Sequence, residues 1–418
     1  VATLGSTLVF DWLGLAFLRL GLDAGADAAI GRLFSLLVLL TAEIGSASWA
    51  AGLLGHAAAS GLLLMCCTAA FELAARRPVN AGQPGRFLLM NATRTVVSLL
   101  GATGAAALTR DPILTAYGFA LGPAVGACLA GTAPPGRQYD GAALVRVLRF
   151  GLPLAASMAL AGAANSGTRA LLEALDGPEA LGLYTAAFLL VQNTLSVVAA
   201  GIASAGYPAS VRLVETGQRE AAAGQLAANW SLLLAVLAPM AAGMALTGSA
   251  IATLLVGPRY VDGVARLIPW LAGAGLLAGL RSQGLDHVFQ LAGASARLTL
   301  VTGVMAVAAL GLTACLAPGA GAVGAAQASC GAALVGFVIA LLWGRLTWRV
   351  PLPIDAAARI MAACGAMALI VTVVPGGLAA HVAAGVVSYA TIAFALGLFG
   401  LRRRRAAPAF HAELPSAG

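Results

Sequence analysis

What most constrains this chain is a succession of apolar runs, each about 17–25 residues long, joined by connections too short to fold on their own. A helix of about 20 residues rises about 30 Å, the thickness of a bilayer's hydrocarbon core. Inside that core every backbone amide must find its partner within the protein, so such runs become helices. They lie near 1–18, 33–53, 55–73, 87–107, 114–131, 151–170, 181–203, 228–247, 264–284, 298–316, 321–344, 359–375 and 380–400, thirteen visible spans. Composition agrees. Hydrophobic residues make up 60% of the chain and charged residues 10%, with a mean hydropathy of +0.91, whereas a soluble domain carries about 25% charged residues. The expected fold class is all-α, a polytopic membrane protein.

The arginines order these spans. The net charge of +8 rests on arginine alone, because the chain contains no lysine. Nineteen arginines fall on alternate connections, from Arg19 and Arg32 through Arg76, Arg77 and Arg86 to the final Arg402–Arg405. The opposite side receives Arg110, Arg169, Arg259 and Arg266, while Arg94 lies inside a span. By the positive-inside rule the arginine-rich side is cytoplasmic, which places the C-terminus there. The basic balance implies no nucleic-acid partner, since no basic stripe alternates with aromatics. The chain starts at Val1 inside an apolar run, without the charged region that opens a signal peptide. One upstream helix is therefore expected, for fourteen in all.

Metal and cofactor chemistry find no foothold. Six cysteines lie in or beside apolar runs without ligand spacing and read as small packing residues. His56 and His287 lack ligand-spaced partners. Neither a metal nor a cofactor is expected.

The segment 140–150 places Leu144, Val147 and Leu148 on one helical face and leaves Arg146 and Arg149 off it. It reads as an interfacial helix joining two halves. The run 109–131 parallels 316–340 in hydropathy and Gly/Ala usage, as in a repeated architecture.

The most informative stretch is 148–188. Asn165, Arg169 and Glu173 follow at spacings of four, so an amide, a cation and a carboxylate share one helical face. An ionised group inside a span costs about 2.5–3.5 kcal/mol on insertion scales and usually faces a wet cavity or the bundle interior.

From Phe150-Gly151-Leu152-Pro153, through the helix carrying Arg169, to Asp176-Gly177-Pro178 and Gly182-Leu183-Tyr184, the chain resembles the middle of Wzx-like O-antigen and exopolysaccharide flippases of the MOP superfamily. Thr168 stands where that family often has Asp. Asp11, Trp12 and Arg19 resemble its second helix; 207–222 and 256–263 resemble connections later in its chain. The resemblance implies a MOP-type two-lobed helical bundle. Its parts would be an N-terminal lobe at 1–131, a linker at 132–149, a C-terminal lobe at 150–344, two additional helices at 345–401 and a tail at 402–418. It also implies a polyprenyl-diphosphate-linked oligosaccharide as substrate, moved by alternating access, with a polysaccharide polymerase and a chain-length regulator as partners.

The candidate residues carry two readings each. Arg169 either meets a diphosphate or acidic sugar, or snorkels to headgroups while paired with Glu173. Arg94, with Asn91 one turn before it, is expected about 12 Å deep and facing a cavity. Gln192 and Asn193 form a polar patch suited to sugar hydroxyls or to interhelical hydrogen bonds. Glu43 sits mid-span and either binds a coupling ion or joins helices; Asp11 and Glu173 are the other ion-coupling candidates. Glu72 is expected to pair with Arg76 four residues on. Two rival functions are a MATE-like multidrug exporter and a membrane glycan polymerase or ligase. The second usually needs a large outer loop, which the short connections do not supply.

Overall fold

The computed structural model describes residues 10, 12–20, 24–52, 55–129, 141–351 and 353–397, and all regular structure among them is helical. Asp11, residues 132–140 of the linker and the tail 402–418 lie outside the described residues. Five helices form an N-terminal group: α1 (Trp12–Leu20), α2 (Ala24–Ala50), α3 (His56–Asn80), α4 (Pro84–Thr109) and α5 (Pro112–Cys128). A C-terminal group follows with α6 (Gly141–Glu215), α7 (Arg219–Leu246), α8 (Gly248–Leu255), α9 (Val261–Leu280), α10 (Asp286–Leu291) and α11 (Ser295–Thr347). The helices α12 (Ile354–Val373) and α13 (Leu378–Ala395) then pack on α7, where the Tyr389 hydroxyl donates to the Ala235 carbonyl at 2.6 Å.

Eight described segments are long and apolar enough to cross a membrane. Two of them, α6 with 75 residues and α11 with 53, exceed any bilayer and must turn back. Each does so at one glycine in the left-handed region, Gly177 at φ 85° and Gly321 at φ 55°, a conformation that costs glycine little. Pro178 after the first break has the fixed φ that starts a helix. Leu154, early in α6, packs with Leu285 and Phe289, while Tyr207, late in it, packs with Val288 and Leu291. The arms 141–176 and 178–215 are therefore antiparallel.

α6 and α11 lie side by side in a constant register. Ser157 and Thr302 share a hydrogen bond of 2.8 Å, as do Tyr184 and Ser329, and each pair is 145 residues apart. The Asp176 carboxylate occupies the space where a side chain at Gly321 would start. Both breaks therefore sit at one end of the molecule.

The repeat expected from Gly/Ala usage has a structural counterpart. Gly118 lies against Gly101 and Gly122 against Ser98, so α4 and α5 fold about residue 110, where Arg110 has φ 54°. Asp111 caps α5 by accepting from the Ile113 amide at 2.7 Å, and Pro112 follows at its first position. In α11, Gly324 lies against Leu316 and Gly336 against Met305, a hairpin about Gly321. In both hairpins small residues allow close approach, which drives helix association where lipid supplies no hydrophobic force.

The two groups meet at the arginine-rich end. The edge of the Trp12 ring lies against Gly151, and Ala155 and Met158 pack on the cluster formed by Trp12, Leu13, Phe17 and Ile30. The segment expected to be interfacial is helical from Gly141 and runs unbroken into the first arm of α6. Its apolar face covers protein in place of headgroups: Val147 is fully buried in the same cluster, with Leu144 and Leu148 beside it. Arg146 and Arg149 remain exposed.

Candidate functional site

One face of the first arm of α6 connects the junction to the candidate residues. Gly151, Ala155, Met158, Gly162, Asn165, Arg169 and Glu173 follow at spacings of three and four, a single helical stripe. Its lower part is sealed against α1 and α2. Farther along, cover from the N-terminal group ends, and Asn165 and Glu173 are exposed. The neighbouring face, with Leu154, Ser157, Ala164, Thr168 and Leu172, is buried within the C-terminal group. The stripe thus runs from a closed contact between the groups to an open surface.

Arg169 lies deeper than the sequence boundary at 170 suggests. The helix continues to the break at Gly177 because Leu172 is fully buried in the C-terminal core and carries the chain onward. That places Arg169 eight residues, about 12 Å, inside the helix end. Its guanidinium lies 5.1 Å from the centroid of the Phe188 ring, and its Nε is buried without a hydrogen-bond partner. No ion pair links it to Glu173 among the described residues, so its neighbour there is the Phe188 ring. Asn165 likewise makes no side-chain hydrogen bond among the described residues.

The polar patch of the second arm is divided. Gln192 is half-buried with its Oε1 against Gly275 of α9, while Asn193 is exposed and Thr194 donates to the Leu190 carbonyl of its own helix. Consecutive residues point about 100° apart on a helix, so the three do not converge.

In the N-terminal group the candidates are already engaged. Glu72 accepts from Arg94 at 3.0 Å and lies 3.7 Å from Arg76, the partner expected from spacing. Arg94 also stacks over Phe71 at 4.6 Å. Asn91 donates to the Phe87 carbonyl of its own turn at 2.9 Å. Glu43 is exposed on the same stripe of α2 as Leu36 and Leu40.

Sequence reading missed two pairings. Glu72 and Arg94 come from different helices, 22 residues apart. Arg281 and Asp286, both almost fully buried, pair at 3.0 Å. Five residues apart on an α-helix they would point about 140° away from each other, but Arg281–Leu285 forms a π-turn, whose extra residue per turn brings them together. From the sequence Arg281 counts only as a connection arginine.

No protein-family model matches the chain, and no curated protein matches it. Solved structures do. A structure described as the lipid II flippase MurJ in an inward closed conformation matches with a TM-score of 0.65 at 12% identity, covering 94% of this chain and 90% of that one. A MATE transporter in complex with MaL6 matches with a TM-score of 0.66 at 14% identity, covering 82% and 85%. An outward-facing multidrug resistance MATE family transporter of the MOP superfamily matches with a TM-score of 0.66 at 15% identity over the same shares. The chain therefore has a MOP-type helical fold, shared with structures described as a flippase and as MATE transporters. It is a multi-pass membrane protein.

Proposed function

We propose that this protein flips a polyprenyl-diphosphate-linked oligosaccharide across the bacterial inner membrane in surface polysaccharide assembly. One observation carries the reading: the stripe that seals the two helical groups at Gly151, Ala155 and Met158 continues as an open surface bearing Asn165, Arg169 and Glu173. A cation without a carboxylate partner among the described residues, deep in a span and beside an open surface, suits an anionic headgroup. Rocking of the two groups, 1–131 and 150–344, about this seam would expose the same face to either side of the membrane in turn. The arginine-rich end, where the groups are joined, is the cytoplasmic one in this reading. The likeness to a lipid II flippase supports a lipid-linked substrate.

Deletion of the gene tests the proposal. A surface glycan should disappear while lipid-linked intermediates accumulate on the cytoplasmic leaflet. Normal glycan with altered drug sensitivity would instead favour a MATE-like multidrug exporter, a reading supported by MATE structures matching the fold as well as the flippase does.

A further inference from the structure

At the end of the molecule remote from the seam, the start of the second arm of α6 and the segment before α9 enclose a cleft of about 520 Å³. That is within the usual size range of small-molecule sites. Pro178, Gly182, Leu183, Ala186, Val256 and Val264 give it apolar walls. Arg259, Tyr260 and Glu179 also line it, and all three are exposed. Arg259 donates to Glu179 at 3.2 Å and lies 5.7 Å from the Tyr260 ring centroid.

The dimensions favour a lipid. Ala186 lies nine residues beyond the break at Gly177, so the cleft reaches about 13 Å along the helix. Half of a bilayer's hydrocarbon core is about 15 Å thick. The lower walls therefore sit at the depth of acyl chains from one leaflet, and the charged rim sits at the level of headgroups. Gly182 and Ala186, one turn apart, keep the groove open, since larger side chains there would fill it. A sugar would find no hydrogen-bonding groups on the lower walls, whereas a hydrocarbon chain needs none.

We propose that this cleft binds a lipid with a phosphate headgroup, its chain against Leu183, Ala186 and Val264 and its phosphate at Arg259. Glu179 then acts as a placeholder. An ion pair in which the two side chains are 75% and 64% exposed is weak, and a phosphate offers the guanidinium fork more oxygens than a carboxylate does. The phosphate displaces Glu179 from Arg259 when the lipid enters. This site is separate from the Arg169 stripe, and its test reads lipid retention, so it stands or falls independently of glycan transport.

The experiment is native mass spectrometry of the purified full chain titrated with phosphatidylglycerol, with diacylglycerol and glycerol 3-phosphate as the chain-only and head-only probes. Phosphatidylglycerol should be retained at one tight site and neither half-probe should displace it. Arg259→Gln should weaken retention about fivefold, and Glu179→Gln should strengthen it by a similar factor by freeing the guanidinium. Ala186→Phe should abolish retention by filling the groove. Gly182→Leu fills it from one turn away, so a folding defect in either variant leaves the other to decide. Unchanged retention in Arg259→Gln together with Ala186→Phe or Gly182→Leu, at wild-type thermal stability, would overturn the proposal. Displacement by glycerol 3-phosphate alone would also overturn it, because the chain would then contribute nothing.

Discussion

Arg94 and Arg169 each hold the guanidinium over a phenylalanine ring, yet their surroundings differ in kind. Arg94 in the N-terminal group stacks on Phe71 at 4.6 Å and is neutralised by Glu72 at 3.0 Å. Arg169 in the C-terminal group stacks on Phe188 at 5.1 Å and has no carboxylate partner among the described residues. The first charge is compensated from within its own lobe and helps hold α3 to α4. The second is held by its aromatic neighbour, a weaker attraction worth about 0.5–2 kcal/mol. The proposed role of Arg169 rests on that missing counter-charge.

The largest expected effect is at Arg169. Arg169→Gln should reduce glycan export about tenfold or more, since a charge-assisted contact contributes about 1.5–3 kcal/mol, while membrane abundance stays normal. Arg169→Lys should retain partial export, because it keeps the charge and loses the fork. Full export by Arg169→Gln, quantified as surface glycan per transporter, would erase the contrast between the two arginines.

Next comes Glu72. Replacing it with Gln leaves Arg76 and Arg94 without their shared carboxylate, and an uncompensated cation within a span costs about 2.5–3.5 kcal/mol. Membrane abundance of Glu72→Gln should fall several-fold, because losses of this size shift the folded population. Adding Arg94→Gln should restore much of that loss, the signature of a coupled pair in a double-mutant cycle. A fall in export per molecule at normal abundance would instead assign Arg94 to the transport path.

A smaller contrast concerns the two helix breaks. Alanine at Gly321 meets both a left-handed backbone and the Asp176 carboxylate, whereas alanine at Gly177 meets only the backbone and open space. Gly321→Ala should therefore lower thermal stability more than Gly177→Ala, which should cost about 1 kcal/mol. The smallest effect is expected at Asn91. Its amide donates within its own turn, so Asn91→Ala should change export less than twofold.

Much of the fold was legible because membrane insertion imposes a coarse, length-based code. Most of the apolar runs read from hydropathy lie in the eight helical segments long and apolar enough to cross a membrane, and the gap between the runs 151–170 and 181–203 holds the break at Gly177. The segment 140–150 was recognised as amphipathic, but its apolar face could not declare whether lipid or protein would cover it; α1 and α2 do. The face shared by Asn165, Arg169 and Glu173 followed from helical spacing alone. Of the two readings of Arg169, the one that pairs it with Glu173 finds no ion pair among the described residues, since an i, i+4 spacing permits a contact without requiring it.

By itself the sequence determined which segments are long and apolar enough to cross a bilayer, which connections gather the arginines, and which residues share a helical face. Those properties depend on the apolar length of each segment and on 3.6 residues per turn, both local. Only the tertiary structure decided which charges are compensated. Glu72 reaches Arg94 across 22 residues, Asp286 reaches Arg281 through a π-turn, and Arg169 meets an aromatic ring on the opposite arm of its hairpin. Compensation of a charge in a low-dielectric interior falls steeply with distance, and interhelical distances are set by where glycines allow close approach.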